Sequence, residues 1–169
     1  MRRVRYRVAA SLDGFIAGPH GEFDWIVMDP EIDFAALVAE FDTLLMGRHT
    51  FELVQKSDRG FMGMKAIVFS RTLRAMDHAD VTVVGENGAD LVRELRAKPG
   101  KDIWFFGGGQ LFSSLAQANL VDTVEVAIMP VLLGQGIPLA PQLVEAKKLK
   151  LARQKIYKAG IASLQYAIL

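Results

Sequence analysis

From residue 4 to residue 118, short apolar runs of β type alternate with segments of helical period. Strand-like patterns lie at 4–12, 43–46, 65–70, 81–85 and 103–106. Between them, residues 31–41 place Phe34, Leu37, Val38 and Phe41 on one helical face. Residues 89–98 do the same with Leu91, Val92 and Leu95, closed by Pro99-Gly100. Helices also follow at RHTFELV, with Thr50 as an expected N-cap, and at 110–118. After residue 118 strands dominate: 123–134, then 149–157 and 161–168 about a turn at Ala159-Gly160. Strands joined through helices must run parallel, so the pattern predicts a mostly parallel sheet with helices on both faces, finished by antiparallel strands. Ligands of such sheets bind where loops open a crevice at the C-terminal strand ends.

Composition narrows the classes. The 169 residues suit one domain, 1–169, without repeats or linkers. Absence of cysteine excludes disulfides, thiolate metal sites and a thiol nucleophile. The three histidines, His20, His49 and His78, are scattered, so no metal site is expected. A net charge of +1 gives no footprint for nucleic acid. The basic stretch at 145–158 alternates with apolar residues, as one face of an exposed strand does. The basic N-terminus meets Asp13 before an apolar signal-peptide core can form, and no run is long enough to span a bilayer. A cytoplasmic protein without membrane partners is expected.

Two strand-to-helix junctions carry chemistry, LLMGRHTFE at 44–52 and IWFFGGGQLF at 103–112. Each ends an apolar strand in glycine and opens a helix, whose unpaired N–H groups and positive dipole end attract anions. Gly47 lets a phosphate approach the backbone, and Arg48 and Thr50 add a guanidinium and a hydroxyl. Ser70 and Arg71 repeat the hydroxyl-guanidinium pairing after the next strand. A ligand with more than one phosphate follows. Neither loop matches G-x-G-x-x-G or a Walker loop.

These pieces, with SLDGFIA, GEFDW, VFSRTL and VDTVEVAIMPVLLGQGIPL in order, resemble the dihydrofolate reductase superfamily over essentially the whole chain. The likeness is strongest to the reductase domain of riboflavin-biosynthesis deaminase-reductases and their stand-alone relatives. The resemblance implies an α/β fold of three layers, α/β/α, around a mixed, mostly parallel sheet of about eight strands. It implies NADPH as cofactor. Arg48 and Thr50 would meet its phosphates, Arg48 selecting NADPH over NADH, and Ser70 and Arg71 would lie near the adenosine phosphate. Gly107, Gly108 and Gly109 would cradle the pyrophosphate, with Gln110, Leu111 and Phe112 opening the helix. Ala9 and Ile16 would flank the nicotinamide. A cis peptide is expected between Gly107 and Gly108.

Reduction of C=N or C=O also needs a proton, and the resemblance points to an acid at the head of the helix before G-R-x-T. Glu31 and Asp33 stand there, with Asp13 as a further acid in a turn. The implied activity is NADPH-dependent reduction of a small heterocycle, of the 5-amino-6-(5-phosphoribosylamino)uracil reductase or pteridine type. A different carbonyl or imine substrate, or a nucleotide-binding protein without turnover, remain alternatives. No counterpart of the arginine that grips the folate tail stands out; Arg59 is the nearest. The Pro-Trp of the dihydrofolate reductase loop is absent; Trp25 would either occupy a similar place or pack against the core. Deaminase motifs are absent. Relatives of the riboflavin type imply a homodimer through the late strands, with the run 127–133 compatible with an interface and Pro130 marking an edge or bulge.

Overall fold

The computed structural model describes residues 1–57, 60–74 and 77–169. Its main sheet contains eight strands: β1 (Val4–Ser11), β3 (Phe41–Gly47), β4 (Lys65–Phe69), β5 (Val81–Val84), β6 (Asp102–Gly107), β7 (Thr123–Met129), β9 (Leu149–Ile156) and β10 (Ala162–Ile168). Their spatial order is β5-β4-β3-β6-β1-β7-β10-β9. The pairs from β5 across to β7 are parallel, and β7-β10 and β10-β9 are antiparallel. Two short strands, β2 (Phe15–Ala17) and β8 (Ile137–Pro138), pair beside it.

Four helices are seen among the described residues: α1 (Phe34–Val38), α2 (Arg48–Gln55), α3 (Gly88–Ala97) and α4 (Gly109–Gln117). One core packs β1, β6 and β7 against α3 and α4, with Tyr6, Phe105 and Phe112 buried in it. The other packs β3, β4 and Trp104 against α2, with Phe34 and Leu37 of α1 at its margin. The three layers implied by the sequence are therefore present.

Several boundaries differ from the sequence pattern. The helix expected over 31–41 forms only at 34–38, because Asp33 caps it by accepting from Ala36 N–H at 2.9 Å and Phe41 already belongs to β3. Thr50 lies inside α2, whose N-cap is Gly47. The strand expected over 123–134 stops at Met129, before Pro130. Proline cannot donate to the ladder, so the strand ends there.

Candidate functional site

A broad cleft of about 1130 Å³ lies at the C-terminal ends of the parallel strands. That volume exceeds a pocket for one drug-sized molecule, roughly 300–1,000 Å³, and is consistent with a large cofactor beside a second ligand. Gly47, Arg48, Thr50, Gly107, Gly108, Gly109, Gln110, Leu111, Ala9 and Ile16 all line it.

The N-termini of α2 and α4 both open on this cleft. Their N-caps are Gly47 and Gly108, and neither receives a side-chain cap. No acid stands in the first turn of either helix. Two positive helix ends thus face one space without a protein counter-charge in their first turns.

The three glycines have different structural reasons. Gly107 adopts φ +141°, where side chains are strained, and a Cβ there would come within 3.3 Å of Thr50 Oγ1. At Gly109 a Cβ would lie 2.5 Å from the Pro138 carbonyl oxygen and 2.5 Å from Pro141 Cδ, so only glycine lets that segment cross the helix start. Gly108 is extended and has 3.7 Å of clearance to Thr50 Oγ1. Protein packing does not require glycine at this middle position. The Gly107–Gly108 peptide is cis, as expected.

Arg48 is half-exposed at the cleft wall. Its Nε donates to Glu52 Oε1 at 2.6 Å and its Nη1 to Thr72 Oγ1 at 2.6 Å. The guanidinium beside it holds the Glu52 carboxyl below the usual range. Ser70 is one step removed: its Oγ accepts from Thr72 N–H at 3.2 Å and Leu73 N–H at 3.0 Å, building the turn that carries Thr72. Arg71 is exposed. Neither Ser70 nor Arg71 lines the cleft, and Phe112 points into the core, stacked on Tyr6 at 4.2 Å.

The acids from the sequence are occupied elsewhere. Glu31 is exposed and pairs with Lys158 at 3.2 Å and Lys155 at 3.8 Å. Asp33 caps α1. Neither lines the cleft. Asp13 accepts from Leu133 and Gly134 N–H, the latter at 2.7 Å, and its carboxyl sits at about 2, lowered by hydrogen bonds from Ser11 and then Gly134. Arg59 lies outside the described residues.

The opposite end of the cleft holds residues that the sequence reading passed over. Arg7 and Glu125 line it from β1 and β7. Glu125 is buried and receives Arg5 Nε at 2.6 Å and Arg5 Nη2 at 2.9 Å in a bidentate pair. Arg7 Nη1 at 2.9 Å and Thr123 Oγ1 at 3.0 Å complete the set. A carboxylate has about four acceptor positions, so none is left for a ligand. Burial pushes the Glu125 carboxyl up, but the bonds and charge of Arg5, and then the charge of Arg7, outweigh it and hold it below the usual range. Burial lowers Arg7, against the attraction of Glu125. The signal in the sequence was charge at alternate positions of otherwise apolar strands, VRYRV and TVEVA.

Between the two ends the lining is apolar. Trp104 lies edge-on to Phe106 at 5.2 Å and to Phe34 at 6.4 Å. Phe23, Val27 and Met28, from the loop before α1, line the cleft yet stay 51, 41 and 52% exposed. Asp29 fixes that loop: its carboxylate accepts from Glu31 N–H at 2.8 Å and from Ala159 N–H, in the β9–β10 turn, at 2.9 Å.

Residues 2–163 match the family model for the RibD C-terminal domain. The uncharacterized protein YyaP of Bacillus subtilis (strain 168) is 33% identical, with 98% of this chain and 94% of that protein covered. The crystal structure of the "putative riboflavin biosynthesis protein" of Shewanella sp. PV-4 superposes with a TM-score of 0.84 at 26% identity, covering 100% of this chain and 99% of that one. The Thermotoga maritima diaminohydroxyphosphoribosylaminopyrimidine deaminase/5-amino-6-(5-phosphoribosylamino)uracil reductase gives a TM-score of 0.72 at 16% identity. That similarity, over 99% of this chain and 57% of the longer protein, concerns the fold.

Proposed function

The chain belongs to the RibD C-terminal domain family, and from that premise we propose that it is a cytoplasmic, NADPH-dependent reductase of a small heterocycle, of the phosphoribosylaminouracil or pteridine type. The observation that carries this reading is the pair of uncapped helix N-termini that open on one cleft, which Arg48 also lines. Those donors and that cation fit a dinucleotide bearing several phosphates.

When bound, NADPH supplies a hydride. In this proposal the backbone at Gly107, Gly108 and Gly109 and the head of α4, Gln110 and Leu111, receive its pyrophosphate, while Phe112 anchors that helix start in the core. Gly47, Arg48 and Thr50 receive the phosphate of the adenosine half, with Ser70 and Arg71 bounding that side. Ala9 and Ile16 face the reacting ring. Glu31 and Asp33 have other partners, so we assign the proton to solvent, which reaches the cleft past its half-exposed loop residues.

Arg48→Ala tests the cofactor assignment. A charge-assisted hydrogen bond to phosphate contributes about 1.5–3 kcal/mol, so NADPH affinity should fall about 10- to 100-fold while NADH affinity changes little. Equal losses for both cofactors would remove the 2′-phosphate role from Arg48. In the same assays Glu31→Gln and Asp33→Asn should keep kcat within about threefold, since solvent carries the proton; a larger drop with a shifted pH profile would return that step to them.

We also propose that the chain pairs with a second copy along β9. All eight residues of this edge strand are exposed, Leu149, Leu151 and Ile156 among them. A long unpaired edge with apolar side chains is a template for pairing. Sedimentation should give twice the chain mass, and Leu151→Lys should halve it; a monomer at micromolar concentration would end the proposal.

A further inference from the structure

We propose that Asp29 is a positioning residue for the second substrate: it fastens the loop before α1 to the β9–β10 turn, so that both meet the ligand already in place. This rests on the reductase reading and adds to it what prepares the cleft for the molecule that takes the hydride. Residues 23–32 form neither strand nor helix, yet Phe23, Asp24, Ile26, Val27, Met28 and Ile32 all line the cleft. Packing does little to hold them, since Phe23, Val27 and Met28 are exposed. Among the described residues, the hydrogen bonds of this segment close within 22–32, with one exception. Trp25 Nε1 donates to the Glu22 carbonyl at 3.0 Å, Ile26 N–H to the Phe23 carbonyl at 3.1 Å and Ile32 N–H to the Asp29 carbonyl at 3.0 Å. The exception is Ala159 N–H, which donates to Asp29 Oδ2 at 2.9 Å.

The clasp is built for strength. Asp29 is buried, and Glu31 N–H at 2.8 Å occupies its other oxygen. The Glu31 and then the Ala159 N–H hold its carboxyl below the usual carboxylate range. Hydrogen bonds to an ionised acceptor are roughly twice as strong as neutral ones. The turn that it grips belongs to the same cleft. Tyr157, just after β9, and Ser163 of β10 line it, and with Ile32 they also line the adjoining polar depression beside Arg7 and Glu125. A second link, the exposed pairing of Glu31 with Lys155 and Lys158, is weakened by water and salt. A loop already fixed need not be ordered when the ligand arrives, so its anchor contributes to affinity without touching the ligand.

Steady-state NADPH oxidation with 5-amino-6-(5-phosphoribosylamino)uracil and with 6,7-dimethyl-7,8-dihydropterin tests this. Asp29→Ala should raise the KM of whichever compound is reduced by about tenfold or more, with kcat within about threefold and NADPH affinity within about twofold. Asp29→Asn keeps one acceptor and should fall between. Glu31→Gln, which removes only the exposed pairs, should leave KM within about twofold. Hydrogen exchange supplies a readout independent of turnover: in Asp29→Ala the amides of 22–32 and 157–161 should exchange faster, and those of β1, β6 and α4 should not. An unchanged KM, or an unchanged rate of exchange in the loop, would overturn the proposal. So would an equal loss of NADPH affinity, the mark of a general structural role, or a KM shift in Glu31→Gln as large as that in Asp29→Ala. If Asp29→Ala does not fold, Asp29→Asn decides by the same measurements. A wild-type protein that binds these compounds but reduces neither ends the reductase reading instead, and the calorimetric Kd then takes the place of KM. Binding of neither compound to wild type overturns the proposal.

Discussion

Glu125→Ala should cost about 3–5 kcal/mol of folding stability, the range found when a buried ion pair loses one partner. Arg5 is 4% exposed and would keep its charge with only Glu40 and Asp102, at the margins, as partners. Arg7 would lose its carboxylate as well. Chemical denaturation of the variant should show a lower midpoint with an unchanged slope. A loss below about 1 kcal/mol would mean that the network is no stronger than a surface pair.

The same network sets a pH response. The Glu125 carboxyl is held below its unfolded value, so its contribution is full above about pH 4.3, the ordinary value for glutamate, and is lost as the pH falls through the lowered folded value. Wild-type stability should therefore fall toward acid more steeply than that of Glu125→Gln. The double variant Arg5→Met/Glu125→Leu should recover part of the single-variant loss, since it removes the unpaired charge of Arg5 but leaves Arg7 without its carboxylate.

Gly108→Val should abolish NADPH binding, by more than about 100-fold, while leaving the fold intact. The backbone at Gly108 is extended, a conformation open to any residue, and the nearest atom to an added Cβ is Thr50 Oγ1 at 3.7 Å. The protein itself therefore tolerates bulk there, and a ligand phosphate against the backbone does not. Gly109→Val supplies the contrast. Its Cβ would meet backbone at 2.5 Å, so it should lower thermal stability by several degrees. Circular dichroism and NADPH titration separate the two effects. Retained binding in a folded Gly108→Val protein would remove the glycine run from the cofactor site.

The sheet and the glycine ends were legible because they depend on local pattern. Apolar runs such as 43–46 and 103–106 are strands in the middle of the parallel sheet, as their lack of alternation indicates. Strands β2 and β8, three and two residues long, are too short to carry a period. The substrate end was less legible for a different reason. Arg5, Arg7 and Glu125 meet only because β1 and β7 pair in register, Arg5 opposite Thr123 and Arg7 opposite Glu125. A contact across more than a hundred residues leaves no spacing to read. The loop at 23–28 likewise reads as surface until the chain folds it into the lining of the same cleft as Trp104.

The Asp29 clasp to Ala159 spans 130 residues. It joins the loop before α1, which lines the cleft, to the β9–β10 hairpin, made 130 residues later. A nascent chain that has reached Gln117 already holds both glycine-ended strands and their helices. It still lacks β7, the parallel neighbour of β1, and the anchor for the loop before α1. The two halves of the cleft therefore mature at different moments of synthesis. The phosphate-facing half depends on elements made early, and the other half waits for the β9–β10 turn.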